Sequence, residues 1–301
     1  MISSAHRDWL ARHPTLPLIA GLPSLREQDA VLACAVGCDL AEVAPFVRSL
    51  RAVFAGQVIL LVDRKPTLRA WLSTHGVEMV IAADRLVHWK PHPSVARFAL
   101  YAQLLQERRE IRNVVLADVR DVVFQADPFR DAPADLHLFK GAALGAGLNA
   151  RAMQALIGEA LAQDLGKRPP VSLGVAAGPT ADATRFCRAM LLLCDMPRSN
   201  LGGGIGQAAC HVIAHLGLVG GEVRPNFERV AIASCGMRVE DGRIRNPDDS
   251  LSPIVVGYGR SPDLAAHIKE RWGLPSARRR RSATAFGRTI QSLQASLLGA
   301  T

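Results

Sequence analysis

The chain is poor in aromatic residues, with two tyrosines and nine phenylalanines in 301 positions. These are nowhere interleaved with basic residues, so the stacking-plus-charge signature of an RNA-binding surface is missing and no nucleic-acid partner is expected. An uninterrupted apolar run of the roughly 18 residues that would suggest a membrane span is also lacking. His6, Arg7, Asp8 and Arg12 precede a short apolar patch rather than the h-region of a secretory signal, which makes the cytoplasm the expected compartment. The six cysteines, Cys34, Cys38, Cys187, Cys194, Cys210 and Cys235, form no CxxC pair. Scattered in this way they read as buried reduced thiols, not as a disulfide framework or a zinc site.

Several catalytic patterns are absent as well. Without GxGxxG or a Walker motif, dinucleotide-dependent dehydrogenases and P-loop enzymes drop out. His211 and His215 stand at i and i+4, but Val212 replaces the glutamate that a zinc-protease helix needs, and the pair reads as core or surface histidines. Ser172 and Ser234 lack a nucleophile elbow. From Ser276 to Thr301 there is no acid and there are five arginines, which leaves +4 of the net +9 charge to the first 275 residues. That segment reads first as a loosely packed terminus; the binding partner its weakly amphipathic pattern suits is an anionic membrane surface, the inner face if the protein is cytoplasmic.

What is present is a core and an order of elements. Hydrophobic residues make up 49% of the chain, enough for one large α/β domain. Strands are predicted at 30–38, 58–62, 77–82, 113–117, 171–178 and 254–257. Helices are predicted at 40–52, 66–75, 94–108, 149–165, 181–194, 207–216 and 262–272, with Gly202–Gly206 as a flexible loop. The opening β-α-β-α-β order predicts a doubly wound, mostly parallel central sheet with flanking helices in a single Rossmann-like domain. The expected organisation is an N-terminal extension at 1–29, a domain at 30–275 and a basic tail at 276–301.

The most informative stretch runs from Ile111 to Phe129. Val114, Val115 and Leu116 form the continuous apolar run of a strand buried on both faces, and Asp118 and Asp121 follow where that strand leaves the core. Ligands of open α/β sheets bind beyond the carboxyl ends of strands. Two hard oxygen donors at such a place suit Mg2+ or Mn2+ carrying a diphosphate, because these cations take one or two protein carboxylates and complete their shell with phosphate and water. Arg120 points away or neutralises phosphate, and Asp127 before Pro128 starts a turn. Gly37 and Asp39 end the first strand, where a nucleotide would lie. Of the few aromatics available for sugar stacking, Trp71, Trp89 and Tyr258 are the candidates.

Taken together, Val-Leu-Ala-Asp118-Val-Arg120-Asp121-Val-Val-Phe-Gln125-Ala-Asp127-Pro128-Phe129 resembles the "DvRDvvFQ.DPF" stretch of nucleotide-sugar-dependent glycosyltransferases with the A-type fold. Arg97-Phe-Ala-Leu-Tyr101 resembles the helix before that motif, and Ser172-Leu-Gly174-Val-Ala-Ala-Gly178 the strand after it. Gly204-Ile-Gly206-Gln207 resembles a "G.DQ" segment, and Pro253-Ile-Val-Val-Gly257-Tyr258-Gly259-Arg260 a "P.ivHqyDR" strand. The resemblance implies an A-type glycosyltransferase domain that moves a sugar from a nucleotide-sugar donor to a glycan or other hydroxyl acceptor, assisted by Mn2+ or Mg2+. It assigns the metal to Asp121 and Asp118 and catalytic positions to Asp121 and Gln207. It assigns the donor to Gly37, Asp39, Arg97, Asp118 and Arg120. The sugar or acceptor pocket falls to Ser172, Gly174, Gly206, Tyr258 and Arg260. Three glycines depart from the pattern: Gly206 replaces an aspartate, Gly257 a metal-reaching histidine and Gly259 a further aspartate. They open a second reading, a degenerate domain that binds without turning over. A haloacid dehalogenase-type phosphatase also starts from an apolar strand ending in acids, but Val123 occupies the position of its second aspartate.

Overall fold

A computed structural model describes residues 28–85, 93–141, 146–195 and 204–274. Residues 1–27, Trp89, Gly202, Gly203 and the basic segment from Ser276 onward, all subjects of expectations above, lie outside the described residues.

The chain opens with β1 (Asp29–Cys34), α1 (Leu40–Arg51), β2 (Gln57–Val62), α2 (Pro66–Thr74), β3 (Glu78–Ile81), a short α3 (Ala82–Arg85), α4 (Pro93–Glu107) and β4 (Asn113–Asp118). Continuous apolar runs make β1, β2 and β4 strands buried on both faces. Two helix starts follow from local chemistry. Glu42 reaches back to accept the Asp39 backbone N–H at 2.8 Å at the start of α1, and Pro66 occupies the first turn of α2, where a missing N–H costs nothing.

After β4 come β5 (Val122–Phe124), β6 (His137–Lys140), α5 (Ala146–Ile157), α6 (Glu159–Leu165), β7 (Val171–Pro179), α7 (Thr180–Asp195) and α8 (Gly204–Leu216). The short strands β8 (Glu222–Arg224), β9 (Val230–Ile232), β10 (Arg238–Glu240), β11 (Arg243–Arg245) and β12 (Ile254–Val256) lead to α9 (Pro262–Trp272).

The fold is α/β, with a central sheet of seven strands in the order β3-β2-β1-β4-β7-β6-β8. It is mostly parallel: β7 alone runs against its neighbours β4 and β6. One face is covered by α4, α5, α7 and α8, whose apolar residues meet Leu32, Ile59, Leu61 and Leu116. The other face carries α1 and α2 and a second, three-stranded sheet, β5-β12-β9. Alternation explains this small sheet. Val122, Phe124, Ile254 and Val256 face the main core, whereas Val123 and Val255 face Leu264 and Ile268 of α9.

Four expectations change. The helix expected at 149–165 is two helices, because Gly158 takes φ +81 between them, a left-handed geometry that glycine adopts without a Cβ clash. Gly204 and Gly206 are not loop residues but lie in the first turn of α8. The first strand stops at Cys34 and gives way to a turn at Gly37 (φ +77). The cysteines are not uniformly buried: Cys38, Cys187 and Cys210 are, Cys34 and Cys194 are half-buried and Cys235 is exposed, and no two are joined in a disulfide. No helix among the described residues is long and apolar enough to cross a membrane.

Candidate functional site

Strand order reverses between β1 and β4: β2 and β3 lie to one side of β1, and β4 begins the other. Chain connections diverge at such a point and leave a crevice at the carboxyl ends, the usual ligand position in open α/β sheets. Cys34 and Asp118 are register partners at this edge. Beyond them lie Gly37 and Asp39 from β1 and Arg120 and Asp121 from β4.

Each of these groups is held in a definite way. Gly37, at φ +77, donates its N–H to Asp63 Oδ2 at 2.6 Å. Asp39 precedes α1, and its carboxylate pairs with Lys65 Nζ at 2.9 Å; that contact raises the Lys65 pKa. Arg120 does not project freely. Its Nε pairs with Glu42 Oε1 at 2.8 Å, and Nη2 donates to the Gly37 carbonyl at 3.2 Å. The β4 turn is thereby fastened to the β1–α1 turn. Glu42 is held below the usual carboxylate range by the Asp39 N–H first and by Arg120 as well.

Asp118 and Asp121 have different surroundings. Asp118 is paired with Arg97 Nη1 from α4. Burial works against the Arg97 charge, but Asp118 foremost, with Tyr101 and Cys34, outweighs it and raises the Arg97 pKa. Behind this pair, the Tyr101 hydroxyl and Arg97 Nε are buried without a hydrogen-bond partner among the described residues, and burial lifts the Tyr101 phenol well above its ordinary pKa. Asp121 instead sits exposed at φ +60, a left-handed conformation that aspartate tolerates better than most residues. Its carbonyl accepts the Gly257 N–H at 2.7 Å. A Cβ built on Gly259 would lie 2.5 Å from Asp121 Oδ1, so the carboxylate rests directly against that glycine.

Gly257 (φ +75) starts a 3₁₀ turn, Tyr258–Arg260, in which the Arg260 N–H donates to the Gly257 carbonyl at 3.1 Å. A Cβ on Gly257 would lie 3.6 Å from both Cζ and Nε of Arg260. The guanidinium therefore lies next to the space that a side chain at 257 would enter. Burial first, and then Asp121, push the Tyr258 phenol up to about 12, keeping it a neutral donor at physiological pH.

The residues assigned to the sugar or acceptor pocket divide into two groups. Tyr258 and Arg260 share a turn with the Asp121 contact. Ser172, Gly174, Gly206 and Gln207 form a packed junction between β7 and α8. Gln207 donates to the Val171 carbonyl and accepts the Leu173 N–H at 3.2 Å. Ser172 Oγ accepts the Gly174 N–H at 3.2 Å, and Gly206 lets α8 approach Leu173. These contacts surround a register break where β6 residues Leu138 and Phe139 pair with Ala176 and Ser172. The extra β7 backbone groups need partners, and Gln207 and Ser172 supply them.

Further along the acidic motif, Asp127 Oδ1 accepts the Phe129 N–H at 2.9 Å in the expected turn. Gln125 clamps β11 by exchanging hydrogen bonds with Ile244 at 2.6 and 2.9 Å. His211 is buried with Nε2 at 2.9 Å from the Leu165 carbonyl, and His215 Nε2 lies 2.9 Å from the Pro169 carbonyl, so both serve the fold. Trp71 stacks on His75 with centroids 3.9 Å apart.

Glu42, Asp63 and Lys65 were missed as members of this edge. Asp63 directly follows an apolar strand, which is the same signal that marks Asp118; for Glu42 and Lys65 no sequence signal exists. Among the described residues no three His, Cys, Asp or Glu side chains converge as a metal-ligand set. The donors that are present fit a hard divalent cation delivered with a diphosphate, with Asp121 as the available carboxylate and Asp118 engaged by Arg97. Comparison with protein-family models and with curated proteins gives no match for this chain.

Proposed function

We propose that the crevice between the carboxyl ends of β1 and β4 binds a nucleotide sugar, and that the protein is an A-type glycosyltransferase passing the sugar to a glycan or other hydroxyl acceptor. The observation that carries this reading is the turn of Asp121. This acid stands exposed beyond a strand buried on both faces, and its backbone is fixed to a second turn through Gly257; this anchoring distinguishes it from Asp241 and Asp249, which take the same left-handed geometry in exposed turns.

In this reading Gly37 and Asp39 line the nucleotide, with Arg120 and Lys65 keeping that wall rigid through their ion pairs. Asp121 holds the Mn2+ or Mg2+, and Asp118, fixed by Arg97, shapes the floor beneath it. When bound, the metal supplies positive charge to the departing nucleoside diphosphate. Tyr258 offers a neutral hydroxyl to the sugar or acceptor. Gln207, Ser172 and Gly174 contribute by setting the shape of the β7 wall. The same reading places the protein in the cytoplasm, with the basic segment after Ser276 suited to an anionic membrane face.

The second reading, a glycosyltransferase-fold binding protein without turnover, is favoured by one observation: both amide atoms of Gln207 are taken by the β7 backbone. A thermal-shift panel of nucleoside diphosphates and nucleotide sugars, with and without Mn2+, tests donor binding on wild type and Asp121→Ala. Stabilisation by one nucleotide that is strengthened by Mn2+, with the strengthening lost in the variant, supports the donor site, and no stabilisation by any member sinks it. Hydrolysis or transfer of the sugar from the stabilising donor then separates the enzyme from the binding protein.

A further inference from the structure

The charges around the crevice are almost all matched. Arg97 is closed by Asp118, Arg120 by Glu42 and Lys65 by Asp39, and the Asp63 carboxylate takes the Gly37 N–H. Two charged side chains are different. Neither the Asp121 carboxylate nor the Arg260 guanidinium has a hydrogen-bond or ion-pair partner among the described residues.

These two belong to one piece of structure. The Asp121 carbonyl takes the Gly257 N–H, the Asp121 carboxylate rests against Gly259, and the Arg260 guanidinium lies beside Gly257. Both are exposed and both meet the Gly257–Arg260 turn, yet no ion pair joins them. An acid and a cation kept apart in this way suit a ligand that carries both signs, such as a phosphate with its counter-cation.

We propose that Arg260, exposed on the turn that holds Asp121, binds the diphosphate of the donor directly. The proposal rests on the nucleotide-sugar reading and deepens it. Charge neutralisation at the leaving group is shared between an arginine of the chain and the metal at Asp121, so part of the diphosphate affinity needs no metal. A guanidinium is the suitable group, because its planar fork engages two phosphate oxygens at once and its charge does not titrate. Glycine at 257 suits the turn that presents this arginine, because its φ of +75 is one that other side chains rarely adopt.

The test is calorimetric titration of UDP, GDP and ADP, and of the matching nucleosides, into wild type, Arg260→Gln, Arg260→Lys and Asp121→Asn, in Mn2+ and in EDTA. Wild type is expected to keep measurable diphosphate affinity in EDTA. Arg260→Gln is expected to lose roughly 10-fold or more of it, the weight of a charge-assisted hydrogen bond. Nucleoside affinity should be unchanged in that variant, and Arg260→Lys should fall between the two. Asp121→Asn should lose the Mn2+ enhancement and keep the metal-free part.

The proposal is overturned if wild type binds a diphosphate only with Mn2+. It is also overturned if Arg260→Gln matches wild type in both conditions, or loses nucleoside and diphosphate affinity equally. If wild type binds no nucleotide in either condition, the donor-site reading itself fails, and the role of Arg260 fails with it.

Discussion

The carboxylate of Asp121 and the bare Cα of Gly259 are fitted to each other, with 2.5 Å between Oδ1 and the position a Cβ would take. Asp121 also has its backbone anchored to Gly257, two residues earlier on the same turn. The glycine at 259, one of the three departures from the resembling family, is thus part of what sets the direction of the acid.

Gly259→Ala should therefore act on Asp121 without unfolding the protein, since residue 259 is exposed. The expected result is a loss of Mn2+-dependent nucleotide affinity of roughly 10- to 100-fold, the usual penalty for disturbing the support of a metal ligand. Melting temperature without ligand should be nearly unchanged. Calorimetric titration beside a thermal melt checks both, and unchanged affinity would show that the contact does not orient Asp121.

The Arg97–Asp118 pair should be worth more to stability than a surface ion pair. Arg97 is 13% exposed and Asp118 39% exposed, so solvent screens the acid and the full penalty of a broken buried pair does not apply. Arg97→Met is expected to cost about 1–3 kcal/mol. Asp118→Asn combined with Arg97→Met should recover part of this, because the carboxylate no longer lacks a cation. Urea unfolding of the two single variants and the double variant gives the coupling, and strict additivity would deny it.

Gly174 packs β7 against β12, and a Cβ there would stand 2.7 Å from Val256 Cγ1. Gly174→Ala should destabilise by about 1–3 kcal/mol through overpacking. Adding Val256→Ala should relieve the clash, leaving the double variant more stable than Gly174→Ala despite the smaller core residue. A double variant less stable than both singles would rule out this packing.

His211 is held below its ordinary value by burial, with the Leu165 carbonyl opposing and His215 and Arg168 adding to the depression. Burial lowers His137 as well, against Asp135. A histidine lowered in the folded state binds its proton more readily when unfolded. Its contribution is therefore complete above the unfolded value of about 6.5 and is lost as pH falls below it. Stability measured by denaturant should decline from pH 7 to pH 5.5, and the decline should be shallower in His211→Gln. Parallel curves for the two proteins would show that His211 does not titrate with folding.

The sequence by itself determined the frame. Short unbroken apolar runs at β1, β2 and β4 read as strands covered on both faces, and the helices between them follow from apolar spacing and start signals such as Pro66. The break after Leu116 into Asp118 and Asp121 marked the edge where the candidate site lies, since an unpaired charge is costly inside a buried strand. Tertiary structure decided how that edge is wired. The short strands β5, β9 and β12 carry three residues each, too few to show a period, and only their packing between the main sheet and α9 makes them a sheet. The reversed direction of β7 is set by its partners β4 and β6. The two acids look alike in sequence, yet a helix 21 positions away places Arg97 on Asp118, while a turn more than 130 residues away meets Asp121 through Gly257 and Gly259 and brings its carboxylate no cation. Pairing of charges depends on distance in space, which a linear pattern does not encode.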